Sequence, residues 1–97
     1  MPIKIRRSSG NVFLDLGFSP EEAANLRLKS ELMIQIRRLI ERRDLTQATA
    51  AKLFGVTQPR VSNLVRGKIE LFSIDTLVGM LSHAGVRVEL RLKPRVA

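Results

Sequence analysis

The chain has 97 residues and a net charge of +8, from 17 Lys and Arg against 9 Asp and Glu, which on one small domain points to an anionic partner, most often nucleic acid. An apolar share of 44% with 27% charged residues argues against wholesale disorder. The absence of Cys excludes a disulfide framework, thiolate-bound zinc and a thiol nucleophile, one His leaves no multi-histidine metal site, and a chain without Trp or Tyr and with only 4 Phe is poorly equipped to stack single strands.

Residues 1–18 read as an N-terminal arm. Ile3 and Ile5 alternate with Lys4 and Arg6, the period of an extended strand, and Ser8-Ser9-Gly10-Asn11 then reads as a loop. Val12, Phe13, Leu14, Leu16 and Phe18 follow as a dense apolar cluster. Such a cluster either packs onto the domain's own core or binds a partner, and the residues alone leave both open.

Residues 19–44 read as helix. Ser19-Pro20-Glu21-Glu22 supplies an N-cap, a proline at the first helical position and a glutamate that closes a capping box. Leu32, Met33, Ile36, Leu39 and Ile40 form a core stripe, and whether the helix breaks near Lys29-Ser30 is open. The other face carries Arg37, Arg38, Glu41, Arg42 and Arg43.

Residues 46–54 and 58–66 read as two short helices capped by Thr46 and Thr57, broken by Gly55 and closed by Gly67. Small Ala51 lets the helices cross closely, Gly55 suits a left-handed turn, and Val61 plugs the angle between them. This is a helix-turn-helix, and between 46 and 66 it holds Lys52, Arg60 and Arg66 and no acid. In such a motif the second helix enters the major groove N-terminal end first. Gln58, Arg60, Ser62 and Asn63 are then candidates for base edges, and Thr46, Gln47, Thr57, Arg66 and Lys68 for phosphates.

Ser73 caps a last helix with Asp75 in its first turn and Gly85 at its end, where His83 reads as a solvated residue. Val86-Arg87-Val88-Glu89-Leu90-Arg91-Leu92-Lys93 then alternates strictly, which predicts a C-terminal strand. A lone strand needs a neighbour for its backbone groups. The leading candidate is the same strand of a second chain, with Val86, Val88, Leu90 and Leu92 at the dimer interface; the arm and a bound protein are the alternatives.

The order Thr46-Gln47, Ala51, Gly55-Val56, Gln58-Pro59-Arg60-Val61-Ser62 and Arg66-Gly67-Lys68 resembles the lambda-repressor-like, Xre-type regulators. Asn11 to Phe18, Glu22-Ala23-Ala24-Asn25-Leu26, Phe72-Ser73-Ile74-Asp75-Thr76-Leu77 and the alternating end are similar to the HigA-type antitoxins, which pair with RelE-like messenger RNA interferase toxins. The resemblance implies a mainly α fold: a lambda-repressor-like bundle of four to five helices with a C-terminal strand used in dimerisation. It implies an arm at 1–18, a DNA-binding domain at 19–85 and a strand and tail at 86–97. It also implies a repressor that binds double-stranded DNA as a homodimer, with a RelE-like toxin as a further partner and Val12, Phe13, Leu16 and Phe18 as the residues to meet it. A protein-binding module without DNA contact, or a regulator without a toxin, is the alternative.

The chain shows no nucleophile–base pair and no metal cluster, so neither an enzyme nor a cofactor is expected. No apolar run approaches the roughly 18 residues of a membrane span, and the basic start lacks the apolar stretch of a signal peptide. The expected location is cytoplasmic.

Overall fold

Ser19 begins the longest helix as its sequence dictates. Its hydroxyl accepts the Glu22 amide at 3.2 Å, and the Glu22 carboxylate accepts the Ser19 amide in return at 3.3 Å. In the structure, a computed structural model that describes residues 11–94, five helices run in the order α1 (Val12–Asp15), α2 (Pro20–Arg42), α3 (Gln47–Phe54), α4 (Gln58–Val65) and α5 (Ile74–His83). A single 3-10 turn (Ile69–Leu71) lies between α4 and α5. The alternating Ile3 and Ile5 of the arm lie outside the described residues.

Helix α2 is continuous through Lys29-Ser30 for 23 residues, a rod about 34 Å long. It packs against α1, α5 and the 3-10 turn, while α3 packs against α4 and α5. The stripe read from the sequence is the core side of α2: Leu32, Met33 and Ile36 are buried, with Leu39 and Ile40 packed at the edge. Phe54, Val61, Leu64, Phe72, Leu77, Met80 and Leu81 fill the space opposite. At roughly 1.5–3 kcal/mol for each large side chain fully removed from water, this cluster is the main stabilising term.

The arm divides. Asn11 is buried, its carbonyl oxygen Oδ1 capping α1 at the Phe13 amide (3.0 Å) while its Nδ2 donates to the Ala23 carbonyl of α2 (2.9 Å). Phe13 and Leu14 are half-buried, and Phe13 meets Phe18 edge to face with ring centroids 6.1 Å apart. Val12, Leu16 and Phe18 remain exposed, Leu16 at 68%. Residues 12–18 therefore lean on α2 without entering the core.

The C-terminal strand expected at 86–93 is not formed; the described residues contain no strand. The reason is the one that made a lone strand suspect: pairing, not alternation, makes a strand, and the described residues offer no neighbouring strand. The Val86 amide instead closes the end of α5 on the Leu81 carbonyl at 2.9 Å, with Gly85 left-handed at φ +81°. Val86 and Val88 pack against the core, whereas Leu90 and Leu92 extend past it, 79% and 90% exposed. Alternation along this segment thus reports a division between the domain's own core and whatever lies beyond it.

Candidate nucleic-acid interface

The helix-turn-helix is built on its two caps and one glycine. Thr46 Oγ1 accepts the Thr49 amide at 3.1 Å, and Thr57 Oγ1 accepts the Arg60 amide at 3.3 Å. Between them Gly55 closes α3 at φ +68°, a conformation that costs any residue with a Cβ about 1–2 kcal/mol. A Cβ at Gly55 would also lie 2.8 Å from Cδ2 of His83. The ring stands there because His83 Nδ1 is 2.9 Å from the Leu53 carbonyl; since a carbonyl only accepts, Nδ1 carries the proton. His83, read from the sequence as a solvated helix end, is exposed there and also ties α5 to the last turn of α3.

The helix ends differ in charge. Helix α2 has Glu21 and Glu22 in its first turn and α5 has Asp75, so the positive ends of both are met from within the chain. Helices α3 and α4 have no acid in their first turns. Their N-terminal dipoles, with exposed Thr46, Gln47, Thr57 and Gln58 around them, are left for an outside anion. The two hydroxyls are not equivalent. Thr49 Oγ1 donates to the Thr46 carbonyl at 3.0 Å, so the 2.9 Å contact between the two hydroxyls uses the proton of Thr46. Thr57 Oγ1 accepts from the Arg60 amide and keeps its proton for a further acceptor.

The structure distributes the remaining candidates as follows. Gln58 is the first residue of α4, with Ser62 and Asn63 half-buried along the helix, while Val61 and Leu64 face the core. Arg66 is exposed, and Lys68 is half-buried and folded back, its amide on the Asn63 carbonyl at 3.0 Å behind Gly67 at φ +75°. Arg60, one of the base-edge candidates, has its side chain engaged within the chain. Its Nη1 donates to the Leu71 carbonyl at 3.1 Å and its guanidinium lies 4.8 Å from the centre of the Phe72 ring. The cause is visible in the helix geometry: Arg60 precedes buried Leu64 by four residues, so the two project from nearly the same side.

Helix α2 carries two ion pairs of its own. Arg27 and Arg37 are each 3.8 Å from a glutamate one turn later, Glu31 and Glu41, both as exposed pairs that contribute little. Among the described residues no cluster of His, Asp or Glu could hold a metal ion, and no helix is long and apolar enough to cross a membrane.

Two comparisons bear on this geometry. A family model described as a helix-turn-helix domain matches residues 12–93. A solved chain described as an XRE-family transcriptional regulator has a TM-score of 0.69 at 36% identity, over 78% of this chain and 88% of that one. No curated protein matches.

Proposed function

Because the chain belongs to the helix-turn-helix domain family, a DNA-binding regulator in kind, we propose that it is a sequence-specific repressor that reads double-stranded DNA with α4. The observation that carries this reading is the pair of acid-free helix N-termini, at Thr46-Gln47 and Thr57-Gln58, in a molecule whose other long helices supply their own acids. Phosphates bound at those ends set the protein's position on the duplex, and Gln58 and Asn63 reach base edges, Gln pairing best with adenine. Arg66 and Lys68 add phosphate contacts after α4. A mobility-shift titration on the DNA upstream of its own reading frame, against a scrambled duplex of equal length, tests this. Equal affinity for both would end the proposal of sequence-specific reading.

The repressor works as a homodimer paired through residues 87–93. Leu90 and Leu92 are apolar, alternating and uncovered, and pairing with a second copy would supply backbone partners that the described residues of one chain do not. Charge selects the antiparallel register. With Leu90 opposite Leu90, Val88 faces Leu92 and Glu89 faces Arg91 on both sides of the axis, leaving Arg87 and Lys93 as a like pair at the ends. Pairing Val88 with Leu90 instead opposes Glu89 with Glu89 and Arg87 with Arg91, which is destabilising. Two α4 helices related in this way suit half-sites roughly 10 bp apart. The exposed Val12, Leu16 and Phe18, beside half-buried Phe13, together with the resemblance to HigA-type antitoxins, support a RelE-like toxin as the second partner. Co-purification with the product of an adjacent toxin-sized reading frame, lost on Leu16→Asp, tests that assignment.

A further inference from the structure

We infer that Arg60 is a positioning residue, one that fixes the angle of the recognition helix rather than reading a base. The inference rests on the proposed reading of DNA by α4. Two groups hold the Arg60 side chain: the main-chain carbonyl of Leu71, 3.1 Å from Nη1, and the ring of Phe72, only 2% exposed. A guanidinium over an aromatic face gains from the ring's negative centre, and its N–H to a carbonyl is a charge-assisted bond. Removing it from both to meet a guanine edge would forfeit each contact.

The loop that Arg60 grips begins where α4 ends. The Lys68 amide closes α4 on the Asn63 carbonyl, the 3-10 turn Ile69–Leu71 follows, and Phe72 then enters the core. Arg60 therefore joins the first turn of α4 to the far end of the segment that carries Arg66 and Lys68. Base-edge candidates and phosphate candidates become one rigid body. Without the clamp, α4 is free to tilt about its C-terminal closure, and every base contact loses geometry together. A direct reader, by contrast, governs one base pair.

The test uses the full chain and a duplex enriched by it from a random library. Arg60→Ala should weaken binding to that duplex about tenfold and reduce discrimination at all base pairs of the half-site by a common factor. The dependence of affinity on salt should be unchanged, and amide hydrogen exchange at 57–61 and 69–73 should rise in the DNA-free protein. Phe72→Leu leaves Arg60 and its bond to the Leu71 carbonyl in place and alters a side chain too buried to reach DNA, so it should give the same profile with a smaller loss. Loss of discrimination at a single base pair would make Arg60 a base reader and overturn the inference, as would a salt slope lower by about one, the mark of a lost phosphate contact. If Phe72→Leu does not fold, the base-pair profile, salt slope and exchange of Arg60→Ala decide alone. Failure of the wild-type chain to enrich any sequence would instead remove the DNA reading itself, with Arg60 exchange then reporting only whether the clamp exists.

Discussion

Replacing Gly55 with alanine probes the joint on which the helix-turn-helix depends. Two costs follow from the structure. Alanine at φ +68° costs about 1–2 kcal/mol. Its Cβ at 2.8 Å from His83 Cδ2 must displace the imidazole, and the hydrogen bond to the Leu53 carbonyl goes with it, about 1 kcal/mol more. Gly55→Ala should therefore destabilise by about 2–3 kcal/mol and, at about 4–8 °C per kcal/mol in a domain of this size, lower Tm by roughly 10–20 °C. The two costs separate in a double-mutant cycle measured by urea denaturation. In a His83→Ala background the clash is gone and only the backbone strain remains, so Gly55→Ala should there cost about 1–2 kcal/mol. Equal costs in the two backgrounds would refute the contact between ring and glycine. A neutral Gly55→Ala would refute the left-handed turn as well.

Three other outcomes are expected. Asn11→Ala should lower stability by about 1–3 kcal/mol in denaturant titration, because it removes the cap of α1 and leaves the Ala23 carbonyl without its side-chain donor. Leu90→Asp should turn the dimer into monomers in sedimentation while leaving the thermal transition of the domain nearly intact; a dimer that persists would place the interface elsewhere. Lys68→Ala should weaken specific and scrambled duplexes by the same factor and reduce the salt slope by about one.

Local chemistry made most helix boundaries legible. Ser19, Thr46, Thr57 and Ser73 all cap the helices they announce, and Gly55, Gly67 and Gly85 all take the left-handed backbone that ends one. Each depends on a few adjacent residues, so a linear reading suffices. The features that escaped it are non-local or need a third dimension. Asn11 looked like loop, although Asn before an apolar run is also a strong N-cap, and its bond to Ala23 spans twelve residues. The direction of Arg60 depends on Phe72, brought near only by the turn after Gly67. His83 gains its role thirty residues from the carbonyl it meets. Residues 86–93 carry the pattern of a strand, but no described residue pairs with them to complete it.

The acid-free starts of α3 and α4 have a consequence for how stable this protein can become. An aspartate or glutamate in the first turn of a helix adds about 0.3–1 kcal/mol by meeting the dipole, and α2 and α5 both have that benefit. At Gln47 and Gln58, the first residues of the two helices, the same gain is open by single substitution, with no core packing to disturb, since both are exposed. Each such change would place a fixed negative charge where the proposed DNA reading puts a phosphate. Selection for thermal resistance alone would therefore raise the melting point at the interface first, and do so at the expense of binding. The stability withheld at these two helix ends is a reserve that function keeps unspent.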